Sequence, residues 1–187
     1  MKKIYAMIAE GTEECELLNV VDIARRAALD VEIVSVSGKT VTTSHGVVIT
    51  ADKTIDEVNL TDCDLLFIPG GMPGSKNLAA CGRLVSAVGD MLKKGKRVAA
   101  ICAAPALVLA EHGFLEGKKA TCFPSFEDRM CGAVVTKGRV ETDGLITTAR
   151  GLGCSIELGL EIVSLLCGEA LSAEVRQKIV FRLSRNF

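Results

Sequence analysis

KKIYAMIAEGTEECELLNVVDIARRAALDVEIVSVS, residues 2–37, decides the fold. KKIYAMIA (2–9) alternates weakly and is rich in strand formers. EECELLNVVDIARRAA (13–28) follows, with Leu17, Val20, Val21 and Ala24 at helical spacing. VEIVSVS (31–37) is β-branched and reads as a second strand. Two strands joined through a helix form a βαβ unit, so the sheet is expected to be parallel.

The rest of the chain extends this pattern. KTVTTSHGVVITADKTIDEV (39–58) holds two short β-type runs split by SHG, a small hairpin. LTDCDLLFIPGG (60–71) reads as a buried strand entering a glycine turn. KNLAACGRLVSAVGDMLKKG (76–95) reads as one amphipathic helix stopped by Gly95, with Lys93 and Lys94 in the last turn, where the helix dipole favours cations. RVAAI (97–101) is the next strand and APALVLAEHG (104–113) the next helix, capped by Gly113. KKATCF (118–123) and AVVT, RVET and LITTA (133–149) are short strands, with one or two helical turns at SFEDRM (125–130). CSIELGLEIVSLLCG (154–168) and SAEVRQKIVFRL (172–183) are helices, the second introduced by a Ser–x–Glu start signal. No linker, repeat or low-complexity segment appears. The expected architecture is a single α/β domain over 1–187, doubly wound, with a mostly parallel sheet and a small β-hairpin.

Composition narrows the partners. The 187 residues are 49% apolar and 24% charged, with a net charge of −1, so no basic face for nucleic acid is expected. With no Trp and one Tyr, stacking on bases is also disfavoured. The apolar stretch of MKKIYAMIAEG ends at Glu10, short of a signal-peptide core, and no run has the length of a membrane span. A cytoplasmic protein without a membrane partner is the expectation.

Eight cysteines occur, at 15, 63, 81, 102, 122, 131, 154 and 167, with no CxxC spacing and only His45 and His112 to assist in metal binding. No zinc site is expected, and most of these thiols read as small buried hydrophobes.

One cysteine stands apart. In RVAAICAAPALVLAEHG (97–113), Cys102 sits where a strand ends and a helix begins. Ligands of open parallel sheets bind at that edge, beyond the carboxyl ends of the strands. Backbone N–H groups at a helix start stabilise a thiolate and lower its pKa below the free value of roughly 8.5. The N–H of Ala103, with one from Gly71, is placed to cradle an oxyanion, as at the nucleophile elbow of hydrolases. From this seam alone, a packed core thiol and a working one remain equal alternatives.

Two other segments end on the same edge. AEGTEECE (9–16) brings four glutamates to the top of the first strand. Glu13 and Glu14 suit capping of the first helical turn, whereas Glu16 lies deeper, just before the apolar face. A carboxyl beside a thiolate raises both pKa values, a workable pair if Glu16 keeps its proton and donates to the sulfur. IPGGMPG (68–74) is either a plain tight turn or a place where backbone approaches a ligand; it matches neither a Walker loop nor GxGxxG. His112 before Gly113 reads as structural, and His45 in SHG either as a solvated turn residue or as a pocket contact.

Taken together, AEGTEECE, DLLFIPGG, VAAICAAP and TTARGLGCSIELGLEIV resemble the ThiJ/PfpI superfamily, in the "DJ-one" branch of the parkinsonism-associated deglycase and its bacterial relatives. The resemblance runs in order along essentially the whole chain. It implies a flavodoxin-like three-layer sandwich and a homodimer. Cys102 becomes the reactive cysteine, Glu16 the protonated acid beside it, and Gly71 and Ala103 the backbone donors. It further implies cofactor-free glyoxalase or deglycase activity on 2-oxoaldehydes or their adducts, protection against oxidative stress, and a cysteine that oxidises readily to a sulfinate.

Three positions depart from the pattern. Phe123 of TCFP stands where many members carry a histidine, Ala103 where the protease-like branch has one, and His45 where relatives tend to have an arginine near the pocket. The two lost histidines, at 123 and 103, weigh against a peptidase-like Cys–His hydrolase. A glutamine amidotransferase needs a downstream His–x–Glu, and no histidine follows residue 112. Two functions stay open on the sequence: a glyoxalase or deglycase using Cys102 and Glu16, and a redox sensor or chaperone in which Cys102 oxidises without turnover.

Overall fold

The computed structural model describes residues 1–182. Its strands, in chain order, are β1 (Lys3–Ile8), β2 (Asp30–Ser35), β3 (Thr40–Thr42), β4 (Val48–Thr50), β5 (Lys53–Thr54), β6 (Leu65–Ile68), β7 (Arg97–Ile101), β8 (Lys119–Ala120), β9 (Val134–Val135), β10 (Val140–Asp143) and β11 (Ile146–Ala149). The α-helices are α1 (Glu14–Arg26), α2 (Gly74–Ala79), α3 (Gly82–Lys93), α4 (Ser155–Cys167) and α5 (Glu169–Lys178).

Seven of these strands form one sheet in the order β10-β11-β7-β6-β1-β2-β5. Every neighbouring pair is parallel except β10 with β11. The βαβ reading of residues 2–37 holds in register, with Lys3 opposite Asp30 and Ile8 opposite Ser35. Alternate side chains of β1 feed two separate cores. Tyr5 and Met7 join Leu78, Leu84, Val88, Met91 and Leu109 on one face. Ile4, Ala6 and Ile8 join Leu17, Val20, Leu158, Ile162 and Val175 on the other. A central parallel strand buried on both sides is therefore apolar throughout rather than alternating with polar residues. The result is a flavodoxin-like three-layer α/β sandwich. The small hairpin is β3 with β4, around the SHG turn.

Several elements differ from their sequence reading. The helix expected over 76–95 is two helices. Ala80 closes α2, and Cys81, in extended conformation, starts α3. The run at 104–113 is not an ordinary α-helix: Pro105–Ala110 is π-helical, and Glu111 N–H bonds back five residues to the Ala106 carbonyl. All six of its residues are buried, so packing under the sheet overrides the local preference for α-helix. Ser172 does not start the last helix, which begins at Glu169 after Gly168; the Ser172 hydroxyl instead donates to the Leu160 carbonyl at 2.8 Å. That helix ends at Lys178, and Leu183 lies outside the described residues. KKATCF leaves the main sheet, since β8 pairs in parallel only with β9.

The cysteine expectation also needs correcting. Cys63, Cys122 and Cys154 are buried, Cys81 and Cys102 are half-buried, and Cys15, Cys131 and Cys167 are exposed. The exposed three lie on the α1 surface, in a turn and at the end of α4, where no apolar layer covers them. His112 bonds through Nδ1 to the Val108 carbonyl at 3.1 Å and stacks on Phe114, in keeping with a structural role.

Candidate active site

Three chain segments leave the carboxyl edge of adjacent strands β1, β6 and β7 and converge. Each supplies one part of the site: Glu16 from the first turn of α1, the Gly70–Gly71 turn after β6, and Cys102 after β7.

Cys102 has φ 65, the left-handed region, which costs a non-glycine residue roughly 1–2 kcal/mol. Both of its backbone groups are tied down. Its N–H donates to the Ala149 carbonyl at 2.9 Å, and its carbonyl accepts the Phe123 N–H at 2.8 Å. A strained corner held at both ends turns the side chain outward from the sheet edge, where the thiol is half-buried. The Gly71 and Ala103 N–H groups face the sulfur.

Glu16 is 1% exposed. Its position follows from local sequence: Glu13 caps α1 by accepting the Glu16 N–H at 2.6 Å, which fixes the first turn. Glu16 Oε2 then accepts the Gly70 N–H at 3.0 Å, and the carboxyl lies close enough to the Cys102 thiol for each to shift the other's ionisation. Its other oxygen, Oε1, is buried with no hydrogen-bond partner of good geometry; the Leu152 N–H lies close enough to favour charge on the carboxyl.

Gly70, which sequence reasoning passed over in favour of Gly71, is what permits this approach. A Cβ there would stand 2.5 Å from Glu16 Oε2 and 2.6 Å from Cys102 Cβ. Gly71 itself has φ 91, and a Cβ there would stand 2.2 Å from the Glu13 nitrogen. The IPGG motif carried the signal; only the approach of α1 and β7 tells the two glycines apart.

Burial raises Glu16 to about 7, opposed by the Cys102 thiol and by the Gly70 and Leu152 N–H groups. Burial also pushes the Cys102 thiol up to about 12, assisted by the charge of Glu16 and opposed by the Gly71 and Ala103 N–H groups. The expectation that the corner alone lowers the thiol pKa is therefore corrected. Burial next to a carboxylate outweighs the two backbone donors. Carboxyl and thiol interact strongly enough to titrate as a pair, and once singly ionised they share one proton and one negative charge. When the proton sits on Glu16, the charge lies on the sulfur, opposite two N–H donors.

Phe123 adjoins the pair through its bond to Cys102 and lays its ring against Gly151, 3.4 Å from where a Cβ would stand. His45 lies elsewhere. It sits on the hairpin turn, 69% exposed at its side chain, with Nδ1 3.1 Å from both Glu14 Oε1 and Ser44 Oγ. Among the described residues it makes no hydrogen bond to Cys102 or Glu16. Burial, the largest influence on Glu14, opposes charge there. Hydrogen bonds from its own backbone, Thr43 and His45 nevertheless leave its pKa below the ordinary value. Glu13, Glu14 and His45 bring three metal-ligand atoms within 4.8 Å of one another. Glu13 is already engaged as the helix cap and Glu14 with the hairpin. No helix among the described residues is long and apolar enough to cross a membrane.

Comparison with known proteins places this site in context. The DJ-1/PfpI family model matches residues 2–165. Protein DJ-1 homolog B of Arabidopsis thaliana is 38% identical over 97% of the chain and 42% of its own length, so the chain spans about half of that relative. The Parkinson disease protein 7 homolog of Danio rerio is 32% identical over 97% of the chain and 98% of its own length. A Caenorhabditis elegans relative named glutathione-independent glyoxalase is 31% identical over 85% of each chain. Among solved structures, oxidized DJ-1 of Toxoplasma gondii superposes with a TM-score of 0.94 at 33% identity, over 98% of this chain and all of its own.

Proposed function

The chain belongs to the DJ-1/PfpI family, and from that membership we propose a cysteine-dependent, cofactor-free glyoxalase acting on 2-oxoaldehydes, extending to their adducts with amines and thiols. The observation that carries this reading is the buried Glu16 carboxyl, raised to about 7 and brought against the half-buried Cys102 across Gly70. A group poised near working pH serves as base in one step and acid in the next.

The reaction follows from that pair. The Cys102 sulfur adds to the aldehyde carbon while Glu16 takes the thiol proton and passes it to the new hemithioacetal oxygen, which returns Glu16 to the carboxylate. Glu16 then moves a proton from the former aldehyde carbon to the neighbouring keto carbon through an enediolate. The Gly71 and Ala103 N–H groups stabilise the negative oxygen as it forms. The resulting 2-hydroxy thioester is hydrolysed by one water, which releases a 2-hydroxy acid and restores the thiol. The relative named a glyoxalase supports the assignment. The pair needs no histidine, so Phe123 and Ala103 at the departed positions are compatible with it.

The test is methylglyoxal consumption by purified protein. Cys102→Ser abolishes it and Glu16→Gln lowers kcat/KM about 100-fold, the scale of general acid–base catalysis. Unchanged consumption by Cys102→Ser overturns the mechanism. We further propose a cytoplasmic homodimer.

A second reading, redox sensing with chaperone action, draws on the same geometry. The unpartnered Glu16 Oε1 and two N–H groups facing the sulfur suit a sulfinate, whose oxygens need one donor carboxyl and two backbone donors. Peptide mass mapping after mild peroxide separates the readings. A sensor gains two oxygens at Cys102 and a new set of bound proteins, whereas an enzyme only loses turnover.

A further inference from the structure

The chemistry of the pair leaves the substrate's other end unassigned. Three large apolar side chains stand exposed around it: Met72 at 39%, Phe123 at 43% and Leu152 at 48%. Each is tethered by backbone to the reacting groups. Met72 follows Gly71, whose N–H faces the sulfur. The Phe123 N–H donates to the Cys102 carbonyl, and the Leu152 N–H faces the Glu16 carboxyl. The Phe123 ring packs over Gly151, the residue before Leu152.

Scattered exposed apolar residues need no explanation, but three on the backbone segments that border one reacting pair do. The nearest titratable group to the sulfur is Glu16, itself 1% exposed, and the histidine of the hairpin turns to Glu14 instead. The mouth thus offers a substrate apolar contact and backbone donors.

We propose that Met72, Phe123 and Leu152 form a specificity rim that selects 2-oxoaldehydes bearing a hydrophobic substituent, aryl or branched alkyl, over glyoxal. The proposal deepens the glyoxalase reading and rests on it. The reacting aldehyde carbon sits at the Cys102 sulfur, and the group on the keto carbon lies against Phe123 and Leu152. Burying one ring face there accounts for about a tenfold preference.

Two measurements test it. The first is the ratio of kcat/KM for phenylglyoxal to that for glyoxal in wild type, Leu152→Asn and the double variant Phe123→Asn/Leu152→Asn. The ratio is expected to fall severalfold in the single variant and about tenfold in the double; a ratio constant within twofold overturns the rim. The second does not depend on turnover: the rate of Cys102 alkylation by N-phenylmaleimide relative to N-methylmaleimide, referenced to glutathione. Wild type is expected to exceed glutathione about tenfold in this ratio, and the variants to approach it. If neither aldehyde is consumed but the maleimide ratio behaves as stated, the glyoxalase reading fails and the apolar selectivity stands. If a second copy of the chain covers the rim, wild type and variants all match glutathione, and the proposal is overturned.

Discussion

Glu16 reaches Gly70 across the gap between α1 and the end of β6, and its Oε2 accepts the Gly70 N–H at 3.0 Å. The contact closes because Gly70 carries no side chain on the face that both Glu16 and Cys102 approach. The carboxyl and the thiol come from segments 86 positions apart, and the backbone of a third segment holds the acid beside the sulfur.

Gly70→Ala puts a methyl 2.5 Å from Glu16 Oε2 and 2.6 Å from Cys102 Cβ, so one of them must move. Overpacking of this kind costs about 1–3 kcal/mol. Displacing a catalytic group by about 1 Å costs about 100-fold in rate. Urea unfolding and methylglyoxal turnover on the same protein are expected to show both losses. Full activity in the variant contradicts the close approach.

Glu16 has its folded pKa raised from 4.5 to about 7 by burial. The folded state therefore binds this proton more tightly than the unfolded chain does. The stabilisation is complete below pH 4.5 and is lost as pH rises to about 7. Glu16→Gln cannot titrate. The stability of wild type relative to Glu16→Gln is expected to fall by about 3 kcal/mol between pH 4 and pH 8. Unfolding curves for the two proteins at both pH values measure it, and parallel curves contradict it.

α1 positions Glu16, and α4 positions α1. Gly159 of α4 lies against Ile23, where a Cβ would stand 2.9 Å from Ile23 Cδ1 and 3.0 Å from Ile23 Cβ. Gly159→Val is expected to destabilise the protein by about 1–3 kcal/mol despite the better helix propensity of valine. Thermal unfolding of the variant checks this, and an unchanged or raised Tm contradicts the packing.

Much of this arrangement is written locally. The βαβ unit follows from the apolar spacing of residues 2–37, and the cap at Glu13 from an acid placed ahead of that apolar face. The corner at Cys102 follows from a β-branched run meeting an alanine-rich one. What is not local is what the chain hides. Gly70 and Gly71 are equivalent in sequence, and only the approach of Cys102 separates them. Pro105–Ala110 has an ordinary helical composition, and nothing local in it marks the π-helical winding of six residues that are all buried. The thiol pKa reads as low from a corner position and as high once Glu16 and the surrounding burial are counted. Ser172 has the residue type of a cap and is used instead to tie α5 to α4.

The sharing of one proton between Glu16 and Cys102 is tested most directly by the rate of Cys102 alkylation against pH, in wild type and Glu16→Gln, with the modified residue identified by peptide mass. In wild type, burial and the charge of Glu16 hold the thiol up, and the rate is expected to climb only well above neutral pH. In Glu16→Gln, with no carboxylate to hold the thiol up, the midpoint moves downward by at least about one pH unit. Superimposable profiles for the two proteins would show a sulfur that ionises without its neighbour, and would contradict a proton held in common by the two side chains.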